Sequence, residues 1–411
     1  MGGPTAKTIL IIGTLDTKGA EFEYVRDLIQ ARGLRTLVMD TGVMGLPLFP
    51  PDLSAGQVAQ AGGVPLAALR EAGDRGAALE TMGKGARALA IQCLAEGKVD
   101  GVISLGGSGG TSIAATAMQA LPVGLPKIIV STMASGNVAP YVDVKDITLM
   151  YSVVDVAGLN RLSRRILANA AGAVCGMAGQ AAPSGQERPL ITATMFGVTT
   201  PCVNRVRAVL EAKGYEVLVF HATGSGGRAM ESLVADGFIT GVADISTTEW
   251  CDELVGGVLS AGPTRLDAAA ARGVPQVVSL GALDMVNFGP WDTVPAQFKE
   301  RVLYRHNPTV TLMRTTPEEC AELGRIIAGK LNRATGPTAL FVPLRGVSMI
   351  DAPGQPFYAP EADQALFQAV RRHLDLRKVE LVELDRHIND PEFAEAMASR
   401  LLAMLATQKG A

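Results

Sequence analysis

VRDLIQARGLRTLVMD, Val25 to Asp40, returns further along the chain as VRAVLEAKGYEVLVFH, Val206 to His221. In each copy a helix-patterned run meets a glycine and turns into a short apolar run. In the first copy Phe22, Val25, Leu28 and Ile29 recur at helical spacing and Gly33 stops the helix. A polar loop follows at the same place both times, Asp40-Thr41-Gly42 and His221-Ala222-Thr223-Gly224. A weaker echo links LPKIIV (Leu125–Val130) to VPQVVS (Val274–Ser279). All αβ units look somewhat alike, but here the loops repeat as well. The pattern predicts two tandem Rossmann-like domains, 1–180 and 188–411, each a mainly parallel, doubly wound sheet. AGQAAPSGQERP, Ala178 to Pro189, reads as the linker.

The flanking segments extend the alternation. Strands are predicted at Thr8–Ile12, Thr36–Met39, Asp100–Leu105 and Lys127–Ser131, with helices at Glu21–Arg32, Ala77–Glu96 and Thr111–Ala120. A long Gly/Pro-rich connection runs from Thr41 to Asp74. In the tail, Ala339–Pro343 and Val379–Leu384 read as strands, Glu361–Leu374 and Pro391–Leu405 as amphipathic helices.

Composition narrows the function classes. The chain has 411 residues, 48% hydrophobic and 19% charged, enough for large cores and against disorder. A net charge of −3 and 5% aromatic residues exclude a basic, base-stacking nucleic-acid surface. Cys93, Cys175, Cys202, Cys251 and Cys320 are odd in number and form no CxxC pair, as expected of a reduced, cytoplasmic protein. No apolar stretch is long enough for a membrane helix, and the first residues do not read as a signal peptide.

In an open parallel sheet, ligands bind beyond the carboxyl ends of the strands. In the first half these ends carry GTLDTKG (Gly13–Gly19), DTGVMG (Asp40–Gly45), GGSGGTS (Gly106–Ser112) and STMASGN (Ser131–Asn137). Glycine combined with hydroxyl and amide side chains suits a phosphate, which takes backbone N–H groups at a helix N-terminus and Ser or Thr donors. Lys18 would neutralise charge, and Asp16 would hold Mg²⁺ or accept from a hydroxyl. Asp40, about 24 residues beyond Asp16, lies where dinucleotide folds place a ribose-binding carboxylate. No single loop matches GxGxxG or the Walker pattern, so each alone is also compatible with a tight turn and a helix cap. Together they define an anion pocket.

The second half has strand-end loops of another character: FGVTTP, HATGSGGRAM, DISTTEWCDEL, SAGPTRL, GALDMVNFG and YRHNPTVTLMRTT. They carry His221, Asp244, Glu249, Asp284 and His306 as candidate proton-transfer groups, and Arg265, Asn287, Asn307 and Arg314 as candidate substrate contacts. Simpler readings stand beside these. His306 before Asn-Pro also suits a turn, and Glu249, Asp252 and Glu253 suit a helix start. Cys251 beside Trp250 suits burial, and the histidines lack a zinc spacing.

IIGTLDTKGAEFEYVRDLI, DTGVMG, SLGGSGGTSIAATAM, STMASGN, HATGSGGRAMESL, DISTTEWCDELVGGVLSAGPTRLDAA, LGALDMVNFG and HNPTVTLMRTTPEE resemble the family with a Tm-one-like ATP-binding domain, over about Lys7 to Leu405. That family takes its name from the tomato mosaic virus resistance protein. The resemblance implies two Rossmann-like subdomains, ATP with Mg²⁺ in the first, and a homodimer. By motif it places ATP on Gly13, Thr14, Asp16, Thr17, Lys18, Asp40, Thr41, Gly106, Gly107, Ser108, Gly109, Gly110, Thr111, Thr132, Met133, Ala134, Ser135, Gly136 and Asn137. The antiviral role of the plant member has no support in these residues. The expectation is an ATP-binding enzyme acting on a small organic acid or sugar-derived metabolite in an interdomain cleft. The alternatives are a nucleotide-sensing module without turnover, and a hydrolase or isomerase using the C-terminal domain alone.

Overall fold

Thr8–Gly13 (β1) is buried along its whole length. A continuous apolar strand of this kind requires helices on both faces of its sheet. In the computed structural model, which describes residues 6–181 and 187–409, that is what surrounds it. The chain divides into two units, Met1–Ser184 and Gly185–Ala411; the central part of the expected linker, 182–186, lies outside the described residues.

The first unit continues with α1 (Leu15–Gln30), β2 (Arg35–Asp40), α2 (Ala55–Ala61), α3 (Leu66–Ala72), α4 (Arg75–Ala95), β3 (Gly101–Gly106), α5 (Ser108–Met118), β4 (Lys127–Ser131), α6 (Ala139–Val142), β5 (Thr148–Tyr151) and α7 (Arg161–Gly179). Its sheet has the order β2-β1-β3-β4-β5, all parallel. Leu10 and Ile12 join the core beneath α2, α4 and α5, while Ile9 and Ile11 face α1 and α7. Strand alternation thus feeds two cores from one apolar run.

The second unit contains β6 (Leu190–Met195), α8 (Thr200–Glu211), β7 (Glu216–His221), α9 (Ser225–Ala235), β8 (Ile239–Ser246), α10 (Glu249–Val255), α11 (Ala268–Arg272), β9 (Gln276–Gly281), β10 (Met285–Phe288), β11 (Leu303–Asn307), β12 (Val310–Arg314), α12 (Pro317–Leu331), β13 (Thr338–Pro343), α13 (Pro360–His373), β14 (Glu380–Leu384) and α14 (Pro391–Lys409). Its main sheet is parallel, in the order β7-β6-β8-β9-β13-β14. The first four strands repeat the order of the first unit. The echoed segments α1–β2 and α8–β7 occupy the same edge, and β4 and β9 both stand fourth. Both units are therefore Rossmann-like, as the repeat predicts.

Several local expectations are corrected. GALDMVNFG and YRHNPTVTLMRTT hold strands, not loops: β10, β12 and β11 form a small antiparallel sheet. These runs of four or five residues, set off by Gly289-Pro290 and Asn307-Pro308, are too short to show a period. The loop GTLDTKG is largely the first turn of α1, which leaves helical geometry at Lys18 (φ −130°, ψ 27°). The long connection contains α2 and α3, and α2 opens on a capping box between Ser54 and Gln57.

Candidate functional site

In the first unit the chain leaves β1 for β2 on one side and returns to β3 on the other. This switch point opens a crevice at the strands' carboxyl ends. A cavity of about 580 Å³ lies there, within the roughly 300–1,000 Å³ typical of ligand pockets. Thr14, Asp16, Thr17 and Lys18 line it from the start of α1, Thr41 from the end of β2, and Gly107–Gly110 from the start of α5. Leu69, Leu79, Met82 and Ile113 form an apolar wall. Three of the four expected loops thus share one cavity.

The glycines here supply space. None of those between Gly106 and Gly110 has a positive φ. A Cβ on Gly107 would meet only Thr132 Oγ1, at 3.7 Å. Gly107 is also the N-cap of α5 and offers no side chain to its first N–H groups, leaving them for an anion.

Other expected ligand contacts are placed in the walls instead. A Cβ on Gly13 would lie 2.1 Å from the Phe22 ring, so Gly13 makes room for core packing. Gly106 lies tight against Gly110. Thr111 is buried, its hydroxyl 2.6 Å from Ser131 Oγ. Asp40 is buried and accepts from the N–H groups of Leu15 and Gly42, pinning α1 to β2. Burial pushes its carboxyl above the ordinary range. Thr132–Ser135 forms a 3-10 turn that, with Gly136 and Asn137, does not line the cavity.

Asp16 and Lys18 stand at the polar end; Asp74 and Arg75 also line the cavity, with Arg75 Nη2 3.7 Å from where a Cβ on Gly109 would lie. Asp16 Oδ2 accepts from the N–H groups of Met44 (3.0 Å) and Gly45 (3.1 Å), while its Oδ1 is buried without a partner. Lys18 Nζ donates to the Val156 carbonyl. Among the described residues no group of three or more His, Cys, Asp or Glu is arranged to hold a metal. One carboxylate with a vacant oxygen fits Mg²⁺ arriving with phosphates, not a caged resident ion.

The second unit fills its corresponding crevice with its own charges. Arg265, 1% exposed, meets Asp244 at 2.5 and 2.6 Å and Glu249 at 2.7 Å, and reaches Glu231 at 3.3 Å. Asp244 also accepts from Thr194. Glu249 accepts from the N–H groups of Gly224 and Gly227 at the start of α9, and a Cβ on Gly227 would lie 2.1 Å from its Oε2. The glycines of HATGSGGRAM therefore admit a carboxylate of the protein itself. Arg265 is a buried counter-ion, which corrects its expected role as a substrate clamp.

Arg314 is likewise internal. It donates to Asp363 (2.6 Å), to the Phe357 carbonyl (2.8 Å) and to Thr315, in a cluster with Asp284 and Asp351. Asn287 donates to Asp252 through its side chain (2.7 Å) and its N–H (3.0 Å). Burial pushes Asp252 up to about 7 despite these bonds. Cys251 is buried, and burial raises its thiol further. His221 is exposed at the end of β7, its ring 5.5 Å from that of Phe196. His306 is exposed on β11, and Asn307 turns the hairpin by accepting from Thr309. Among the described residues no hydrogen bond or ion pair joins either histidine ring to an acid, so the expected catalytic set is not brought together.

A further group lies outside the loops the sequence singles out. Asp363 and His387 line a cavity of about 500 Å³ beyond β13 and β14.

These features define the class: a two-unit α/β protein with tandem parallel sheets, an open glycine-walled crevice in the first unit and a charge-filled one in the second. The chain belongs to the UPF0261 family. Residues 7–183 match the N-terminal domain and residues 188–405 the C-terminal domain of the "Uncharacterised protein family (UPF0261)". It is 57% identical to a UPF0261 protein of Clostridium tetani, over 97% of this chain and 99% of that one. It is 46% identical to the ToMV resistance protein Tm-1(GCR237) of Solanum lycopersicum, over 80% of this chain but only 44% of that protein. A UDP-N-acetylglucosamine 2-epimerase structure from Rickettsia bellii aligns over 98% of this chain and 96% of that one, at 9% identity and a TM-score of 0.23, too low to carry an inference. Among the described residues no helix is long and apolar enough to cross a membrane.

Proposed function

We propose that the N-terminal unit binds ATP with Mg²⁺, and that the chain is an enzyme acting on a small organic acid or sugar-derived metabolite. One observation carries the nucleotide assignment. The switch-point cavity has a polar end, with the first amides of α5, Thr14, Thr17 and Lys18, and an apolar wall of Leu69, Leu79, Met82 and Ile113. An anion and a flat heterocycle need that combination side by side. Asp16 would contact the metal through its vacant Oδ1. Bound there, ATP with Mg²⁺ would supply a phosphoryl group. The buried free thiols support a reducing, cytoplasmic setting.

Calorimetric titration of ATP with Mg²⁺ into the full chain tests the reading. Saturable binding that is lost in Lys18→Ala supports it; no heat with ATP, ADP or GTP overturns it. A sensing module without turnover is the second reading, favoured by the internal pairing of Arg265 and Arg314. Tight ATP binding without release of ADP, AMP or phosphate across a panel of organic acids and sugars would select it.

A further inference from the structure

The loops after β13 and β14 bound a cavity that none of the expected site residues lines. Asp363 and Gln364 enter it from the first turns of α13, and His387 and Asp390 from the loop after β14. The Tyr358 ring, about half exposed, and Pro353 supply an apolar platform. The position, beyond the carboxyl ends of two adjacent parallel strands, is where open α/β sheets bind ligands.

Asp363 is the central group. It is 6% exposed yet reaches the cavity, and its Oδ1 is held by Arg314 Nη2 at 2.6 Å. Behind it, Asp351 Oδ1 lies 3.7 Å from the same guanidinium, and Asp284 accepts from Ser348 at 2.7 Å. Asp284 Oδ1 and Asp351 Oδ1 are buried with no hydrogen-bond partner. Three carboxylates thus share one guanidinium, with the Cys320 thiol at its other side. A dry interior does not tolerate that surplus of negative charge, so the cluster retains protons. Burial and the neighbouring Asp351 push the Asp363 carboxyl well up. A carboxyl that holds and releases a proton near neutrality both donates to and accepts from hydroxyl groups.

The other walls restrict the ligand's charge. His387 Nε2 lies 2.9 Å from the Ser348 carbonyl, which only accepts, and its Nδ1 accepts from the Asn389 N–H. The ring therefore donates through Nε2–H and accepts at Nδ1, so both nitrogens are engaged within the protein. Arg345 is held by Asp385 in a two-point bond of 2.7 and 2.6 Å. Arg345 is the one cation among these lining residues, and its pairing leaves no free positive charge for an anion.

We propose that this cavity is a small-molecule site for a neutral polyhydroxylated ligand, a sugar or sugar alcohol, with Asp363 as its principal hydrogen-bonding group. The inference rests on the enzyme reading above and names the substrate class, but requires no nucleotide.

Saturation-transfer NMR on the full chain without nucleotide tests it, with D-glucose, ribitol and glycerol as probes and citrate and putrescine as charged comparators. The expected result is transfer to at least one polyol and none to citrate. Gln364→Trp fills the mouth without touching the Arg314 cluster, and Tyr358→Ala removes the platform; each should weaken the signal by about fivefold or more. Unchanged melting temperatures would show that both variants fold. No transfer to any polyol, transfer unchanged in both variants, or a stronger signal from citrate or putrescine would overturn the proposal. ATP titration has no bearing on this outcome, so the two readings fail separately.

Discussion

The guanidinium of Arg265 and the carboxylate of Asp244 meet through two bonds of 2.5 and 2.6 Å, with each side chain 1% exposed. Glu249 and Glu231 lean on the same cation. Removing it strands three acids in a site with little water, which costs about 3–5 kcal/mol for a buried pair broken on one side. Arg265→Met should therefore lower the urea midpoint severely or prevent folding. A loss below about 1 kcal/mol would mean the network is wetter than its burial implies.

Asp252 predicts a pH effect. Its carboxyl moves from an ordinary 3.8 in the unfolded chain to about 7 in the folded one, chiefly through burial. The folded state holds the proton more tightly, so this stabilisation is complete below the unfolded value and is lost as pH rises through about 7. Asp252→Asn keeps a neutral group there, and Asn287, whose Oδ1 is buried without a partner, can turn its amide to accept from it. Thermal melts between about pH 5 and pH 8 should show a shallower decline in the variant than in the parent. The slope should shrink without vanishing, because burial also raises Asp284 and Asp363. Parallel declines would remove Asp252 as the source.

The architecture was legible because its signals are local. Val25–Asp40 and Val206–His221 each encode a helix, a stop and a strand within sixteen positions, and the two sheets place them alike. The strand-end rule leads to Thr14, Lys18 and Gly107, which line one cavity. Asp363 and His387 carry no such signal: Asp363 sits within α13, well past the end of β13, and the DRHIND loop after β14 has neither glycine nor a hydroxyl side chain. Arg265 and Arg314 stand in polar segments and look available. Their partners lie 21 and 49 residues away, and no local pattern announces pairing at that distance. β10, β11 and β12 escaped for a different reason: each is only four or five residues long.

Gly13 and Gly107 both stand in glycine loops at strand ends, yet a side chain would meet different surroundings at each. At Gly13 the Phe22 ring fills the place of a Cβ, and that ring is fully buried between β1 and α7. Gly13→Ala should destabilise the fold by about 1–3 kcal/mol through overpacking, read as a lower urea midpoint. At Gly107 the nearest atom is Thr132 Oγ1 at 3.7 Å, and φ is −83°. Gly107→Val should therefore fold with a midpoint within about 0.5 kcal/mol of the parent, while its methyl groups project over the first amides of α5. Calorimetry should then show ATP affinity reduced at least tenfold, about 1.4 kcal/mol. A folded Gly107→Val that binds ATP as the parent does would return the loop to a turn and move the phosphates elsewhere.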